Sequence, residues 1–331
     1  MISMLTTLRL VLILLGLITL QTSAFAQNSQ DLPYFRIELI YGHKDGLALT
    51  MDAFFPKKRT NGATVVAVES RGFVSKRDNI QPLFVLDLIN RGYTVFVVIH
   101  GSQPKYTGLE AIEDMHRSIR YIRANAKLFE IDPSKIGMWG ASAGGHLSLM
   151  VGLEGRPGDP KAKDPVDRES SFIQAVACFF PPTDWLNYGK PGFEVIRTKD
   201  QQEFFRPGFQ FKELDAKTNL WIDITDDNRL REIARKISPI THVTKDDPPI
   251  LLIHGEDDSL VPFQQSQILI QKLTETGVTN KLVSKPKADH GWTTMIFDMK
   301  ICNDWFDAHL KPTPSHEIDR RPKEFLMRFL P

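Results

Sequence analysis

The sequence predicts an α/β fold: a mostly parallel, twisted sheet with helices on both faces and a lid-like insertion late in the chain. Three observations predict it. Apolar runs of strand length, such as "ATVVAVES" and "TVFVVIHG", are continuous rather than alternating, as strands buried on both faces require. Segments of helical pattern separate them, and that alternation builds a parallel sheet covered on both sides. The stretch "KIGMWGASAGGHLSLM" over 135–150 runs a strand into a cluster of tiny residues and out into a helix.

The elements follow in order. "FRIELIYGHKDGLALTMDAFFP" reads as a hairpin turning at Lys44-Asp45-Gly46, and "ATVVAVES" as the first buried strand. "NIQPLFVLDLINRGY" suits a helix closed by Gly92, followed by the strand "TVFVVIHG". "EAIEDMHRSIRYIRANAKLF" sets Ile112, Met115, Ile119 and Ile122 on one helical face, and Asp132-Pro133 ends that segment. "KIGMWG", "IQAVACFF", "PPILLIHG" and "KLVSKPKA" supply later strands, with helices over 262–275 and 294–309. From about 181 to 238 the rhythm breaks into a polar, aromatic, Pro- and Gly-interrupted insertion. Segments of that length serve as lids or binding surfaces. Trp185, Phe204, Phe205 and Phe211 either line a cleft there or form the insertion's own small core. The catalytic domain is expected over 33–310, with a peripheral tail over 311–331.

Bulk composition excludes some functions. The 331 residues are 42% hydrophobic and 24% charged, with a net charge of +1, and no basic-aromatic strip suggests a nucleic-acid partner. Residues 1–26 read as a secretory signal peptide: Arg9, an apolar stretch from Leu10 to Leu20, and small residues ending at Ala24-Phe25-Ala26. The apolar stretch falls short of the about 20 residues of a membrane span, so export without a stable span is expected. The two cysteines allow one bridge, but Cys178 sits in a buried-strand pattern and Cys302 in a helix, which suits free buried thiols better. No histidine or cysteine spacing suggests a metal, and no cofactor is expected.

"GASAG" at 140–144 fits G-x-S-x-G between a strand and a helix. There a serine is forced into a strained turn with its hydroxyl exposed above the sheet. Small neighbours are needed because helix and strand converge, and the helix N-terminus favours developing negative charge. A serine hydroxyl needs a base, and the base an orienting acid. Such an elbow takes them in the chain order Ser, Asp or Glu, His. Of nine histidines, His290, His309 and His316 lie far enough along the chain. His309 ends a helix and His316 sits in the tail, whereas His290 in "KADHGW" follows a strand on a loop. Glu256, Asp257 and Asp258 compete as the acid, with Asp258 best placed before the helix at Pro262 and Asp184 a weaker fourth candidate.

"GASAGGHLSL", "SPITHVTKDDPPILLIHGEDDSLVP" and "KADHGW" together resemble the α/β-hydrolase esterases of the bacterial feruloyl-esterase-like and acetyl-esterase groups, from about Phe35 to Leu310. The resemblance implies a Ser142, Asp258, His290 triad hydrolysing carboxylic esters. Its H-G-x-x-D-x-x-V-P motif falls on His254, Gly255, Asp258, Val261 and Pro262, favouring Asp258 as the acid and making His254 structural. His146 is then an ordinary member of the helix start. Export and the aromatic insertion add acetyl or feruloyl esters of polysaccharides as candidate substrates.

One segment departs from that pattern. Where an H-G-G-G-like loop is expected, the chain reads Glu69-Ser70-Arg71-Gly72. Backbone amides of Arg71, Gly72 and Ala143 are the candidate oxyanion donors, and a positive φ at Arg71 would strain the loop. Arg71 either points into the cleft toward an acidic substrate or forms a surface ion pair, and His100-Gly101 is expected to shape the cleft wall. Two other readings compete. A peptidase of the prolyl-oligopeptidase type shares the triad order, but the stretch between Ala26 and Phe35 has no room for its propeller. A non-catalytic binding protein would explain the altered loop.

Overall fold

The computed structural model describes residues 32–197, 206–310, 314, 316–318 and 322–329. The signal-like segment 1–26, Phe204 and Phe205 lie outside the described residues. Eight strands form the central sheet: β1 (Tyr34–Lys44), β2 (Leu47–Pro56), β3 (Thr64–Glu69), β4 (Thr94–Ile99), β5 (Ile136–Ala141), β6 (Ala175–Phe179), β7 (Ile250–Gly255) and β8 (Asn280–Lys285). Their spatial order is β1-β2-β4-β3-β5-β6-β7-β8. The β1–β2 hairpin and the β2–β4 pair are antiparallel, and every later pair is parallel. This is the α/β-hydrolase fold that the resemblance implies.

Six helices matter here: α1 (Leu83–Asn90), α2 (Gly108–Ala124), α3 (Ala143–Leu153), α4 (Asp227–Lys236), α5 (Gln264–Thr276) and α6 (Met295–Leu310). They split the core in two. On one sheet face α1 and α6 cover Val65, Ala67, Val97 and Trp139; on the other α2, α3 and α5 cover Val66, Val98, Met138 and Leu252. Ile112, Met115, Ile119 and Ile122 of α2 are at most 2% exposed. Burying such side chains stabilises by about 1.5–3 kcal/mol each, enough to dock a helix whose other face is charged. The first helix begins only at Leu83, because Pro82 has no amide hydrogen to donate to a preceding turn.

The insertion carries more regular structure than its sequence suggests. It holds α4 and a small hairpin, Lys212–Leu214 with Trp221–Asp223. Trp185 and Phe211 are buried, and Trp185 packs on Tyr188, Phe209 and His146, so these aromatics form a core rather than line a cleft. The tail is less peripheral than expected. Phe325 is 2% exposed and packs against Phe35 and Phe55 of the first hairpin. Cys178 and Cys302 are both buried free thiols. No helix among the described residues is long and apolar enough to cross a membrane.

Candidate active site

Parallel strands place the loops that follow them along one edge of the sheet, and ligands of open α/β sheets bind there. Ser142 follows β5, Asp258 follows β7 and His290 follows β8, so all three meet at that edge. At the elbow, Ser142 has φ +53° and ψ −121°, a conformation that costs about 1–3 kcal/mol and survives only where the surroundings impose it. They do: the Ser142 amide donates to the Phe179 carbonyl (2.9 Å) and the His146 amide to the Ser142 carbonyl (2.9 Å). The tiny neighbours are a steric necessity. A Cβ on Gly140 would stand 2.4 Å from the Gly144 backbone, and one on Gly144 would stand 2.7 Å from the Val68 carbonyl oxygen.

Ser142 Oγ lies 3.0 Å from His290 Nε2, and His290 Nδ1 lies 2.9 Å from Asp258 Oδ2. An ionised carboxylate only accepts, so Nδ1 carries the proton and Nε2 is free to accept from the serine hydroxyl. The Asp258 side chain is fully buried. Burial alone would raise its carboxyl, but hydrogen bonds from His254 and His290, with the Val261 amide, outweigh it and hold it well below the usual carboxylate range. The amides of Leu260 and Val261 donate to Oδ1 at 3.0 and 2.8 Å. Buried His254 lies 3.3 Å from Oδ2, and its other nitrogen lies 2.7 Å from Ser266 Oγ, so it braces the acid from behind. Glu256 and Asp257 are exposed, and Asp184 is spent on the amides of Leu186 and Asn187. His316 is exposed in the tail, and His309 ends α6.

Three supports have no local sequence signal. Asp289 accepts from the Ser259 amide, the Ser259 hydroxyl and the His290 amide (2.8, 2.8 and 2.7 Å), tying the histidine loop to the acid loop. The Phe180 ring lies 4.5 Å from the His290 ring. Asp298 of α6 accepts from Trp292 Nε1 (2.7 Å) and pairs with Lys285 (2.6 Å).

The loop after β3 is the other half of the site. Ala143 is the first residue of α3, so its amide has no intrahelical acceptor and remains available beside Ser142. The Arg71 amide is not available in this way: it donates to the Val74 carbonyl at 2.8 Å, with the return bond at 3.0 Å. That removes Arg71 from the candidate donors and leaves Gly72. The positive φ feared at Arg71 falls instead on Gly72 (+55°) and Phe73 (+64°). Glycine accepts it freely, while Phe73 is held there by burial against His146 and Phe209. The Arg71 side chain is 70% exposed and 3.9 Å from Glu69, a loose surface pair. His100 does not line the cleft wall. It is buried behind the loop, with Nε2 2.8 Å from Ser70 Oγ.

Residues 51–273 match the BD-FAE family. The probable carboxylic ester hydrolase LipM of Mycobacterium tuberculosis is 25% identical over 201 residues, 61% of this chain and 42% of that protein. The acetylxylan esterase of Xylanibacter ruminicola is 27% identical over 282 residues, 85% of this chain and 50% of that protein. The chain thus spans half or less of these relatives' length. Among solved structures, the acetyl ester-xyloside bifunctional hydrolase of Caldicellulosiruptor lactoaceticus shares the fold, with a TM-score of 0.64 at 23% identity over 82% of this chain and 96% of that one. The match covers the loop after β3, the turn at Ser142 and the loop of Asp258 on the sheet described above, and the chain belongs to the BD-FAE family of α/β-hydrolase-fold proteins.

Proposed function

We propose that the protein is an exported serine hydrolase that cleaves carboxylic esters through an acyl-enzyme. The observation that carries this reading is the connected path Ser142 Oγ, His290 Nε2, His290 Nδ1 and Asp258 Oδ2, at 3.0 and 2.9 Å. Ser142 Oγ attacks the ester carbonyl while His290 Nε2 takes its proton, and Asp258 stabilises the imidazolium that forms. The carbonyl oxygen becomes negative and is met by the amides of Ala143 and Gly72, with the α3 N-terminus behind them. His290 then protonates the departing alcohol oxygen. A water, deprotonated by the same nitrogen, attacks the acyl-enzyme and releases the acid and Ser142.

The likeness to an acetylxylan esterase supports acetyl esters of polysaccharides as substrates, feruloyl esters being the other candidates that the sequence motifs suggest, and the segment 1–26 supports export. Purified mature protein should hydrolyse p-nitrophenyl esters and react at Ser142 with a fluorophosphonate, and Ser142→Ala should abolish both. Activity retained in that variant would remove Ser142 from the chemistry. Release of acetate or ferulate from xylan oligosaccharides tests the substrate, and the N-terminal sequence of protein recovered outside the cytoplasm tests export.

A further inference from the structure

The insertion carries an apolar surface that its own core does not use. Leu214, Leu220, Trp221 and Ile222 are all exposed on the hairpin that pairs Lys212–Leu214 with Trp221–Asp223. Trp221, at 71%, is the most exposed of the five tryptophans. Single apolar side chains on a surface are ordinary, but a contiguous group around an indole marks a place of contact. The turn holds it still. Asp215 accepts from the amides of Lys217 and Thr218 (3.1 and 2.7 Å), and its own amide donates to the Leu220 carbonyl (2.9 Å). At the base, the Ile224 amide donates to the carbonyl of buried Phe211 (2.9 Å), and Glu213 pairs with Arg229 of α4. The indole is thus presented on a fixed arm, so little ordering entropy opposes a contact made there.

We propose that this hairpin face is a docking site for a neutral polysaccharide, with the Trp221 indole lying under one sugar ring. Side chains alternate along a strand, and Leu214 stands opposite Trp221 as Lys212 does opposite Asp223, so these four share one face. A pyranose offers the matching pattern, with C–H groups across its ring and hydroxyls around its rim. The C–H face covers the indole and Leu214. The hydroxyls, which both donate and accept, meet the carboxylate of Asp223 and the ammonium of Lys212.

Other occupants fit less well. A stable interface between two copies takes about 20–30 residues a side, and the hairpin offers four apolar ones. Over 212–229 acidic side chains outnumber basic ones five to three, so an anionic lipid surface is repelled. A neutral polymer meets neither obstacle. It would also be held close to the candidate active site. The hairpin grows from Phe209, whose ring packs on Phe73 of the loop after β3, and Phe73 packs on His146, one helical turn beyond Ser142. Leu214 is five residues past Phe209, at most about 18 Å of chain. That benefit to catalysis rests on the ester-hydrolase reading above, whereas the binding itself does not.

Calorimetry with xylohexaose, which carries no ester, measures the docking, and kinetics on acetylated xylan and on p-nitrophenyl acetate measure its effect. Trp221→Ala should weaken xylohexaose binding about tenfold, and Trp221→Phe, which keeps an aromatic face, should recover part of the loss. On acetylated xylan the alanine variant should raise KM about tenfold with kcat within about twofold, the mark of binding lost equally from ground and transition states. Its kcat/KM on p-nitrophenyl acetate should stay within about twofold of the unmodified protein, since the small ester does not reach the hairpin. Xylohexaose binding that is absent from the unmodified protein, or equal in all three proteins, overturns the site. So does a dimer in sedimentation that Trp221→Ala dissociates, or binding to anionic vesicles that the same change abolishes. A protein that binds xylohexaose through Trp221 but cleaves no ester leaves the docking site standing and brings down the hydrolase reading.

Discussion

His100 Nε2 lies 2.8 Å from Ser70 Oγ, a buried contact that anchors the loop after β3. His100 Nδ1 donates to the Gly101 carbonyl at 2.7 Å, so Nε2 is the acceptor and the Ser70 hydroxyl the donor. The Gly101 amide in turn donates to buried Asp114 (2.9 Å), which pairs with Lys44 at the end of β1 (2.9 Å). The residues that depart from the H-G-G-G pattern are thus held by a network of this chain's own. Ser70→Ala leaves a buried nitrogen unpaired, at a cost of about 1–3 kcal/mol of stability. It should also lower kcat about tenfold while KM stays within twofold, because in the proposed mechanism the loop meets charge that develops only in the transition state. Steady-state kinetics with one aryl ester check this, and an unchanged kcat would show that the loop holds its position without the pair.

The acid can be tested against its neighbours. Asp258→Asn keeps the size but offers an amide where His290 Nδ1–H needs an acceptor, which favours the wrong tautomer. By analogy with the same change in serine proteases, kcat should fall by about 10⁴. Asp257→Asn alters an exposed carboxylate next to it and should leave kcat within twofold. Equal losses in the two variants would mean that the loop's net charge matters rather than one oriented carboxylate.

What could be read from the sequence divides along the same line. The elbow is legible because its causes are local: strand, turn, helix and the crowding of Gly140 and Gly144 all fall in the contiguous stretch 136–153. The hairpin and the α2 apolar stripe are legible for the same reason. The supports are not, since Asp289 reaches Ser259 across 30 positions and His100 reaches Ser70 across 30. A single chain carries no mark of such pairings. The fate of the Arg71 amide was equally hidden, because only the fold of the turn shows that it is spent on Val74. Phe325 had a weak signal, an aromatic residue inside "EFLMRFL", which the surrounding charges and prolines obscured.

Two buried histidines set an acid limit on stability. Burial pushes the rings of His100 and His146 down to about 4; bonds to the carbonyls of Gly101 and Ile237 oppose this only in part, and the charges of Lys44 and His242 add to it. In the unfolded chain each titrates near 6.5. Because the unfolded state binds the extra protons first, the contribution is complete above about pH 6.5 and is lost as pH falls toward about 4. Each is worth up to about 3 kcal/mol at full extent. Thermal melts between pH 7.5 and 4 should show Tm falling through that window, with a shallower fall in His146→Phe. A Tm flat to pH 4 would mean that neither ring is held neutral.

The last prediction concerns how His290 is aimed. Its ring rests on Phe180, Phe180 packs on Trp292 with centroids 5.8 Å apart, and the Trp292 indole is fixed by its bond to Asp298. The ring face therefore depends on a carboxylate three contacts away, on α6. Asp298→Ala removes the acceptor for the Trp292 N–H and the partner of Lys285, so kcat should fall about tenfold. Asp298→Asn keeps an acceptor and should recover most of that loss, whereas a purely electrostatic role would leave both variants equally impaired. Comparing kcat and fluorophosphonate labelling rates across the two separates aim from charge, since loss of aim slows acylation by either reagent in the alanine variant alone.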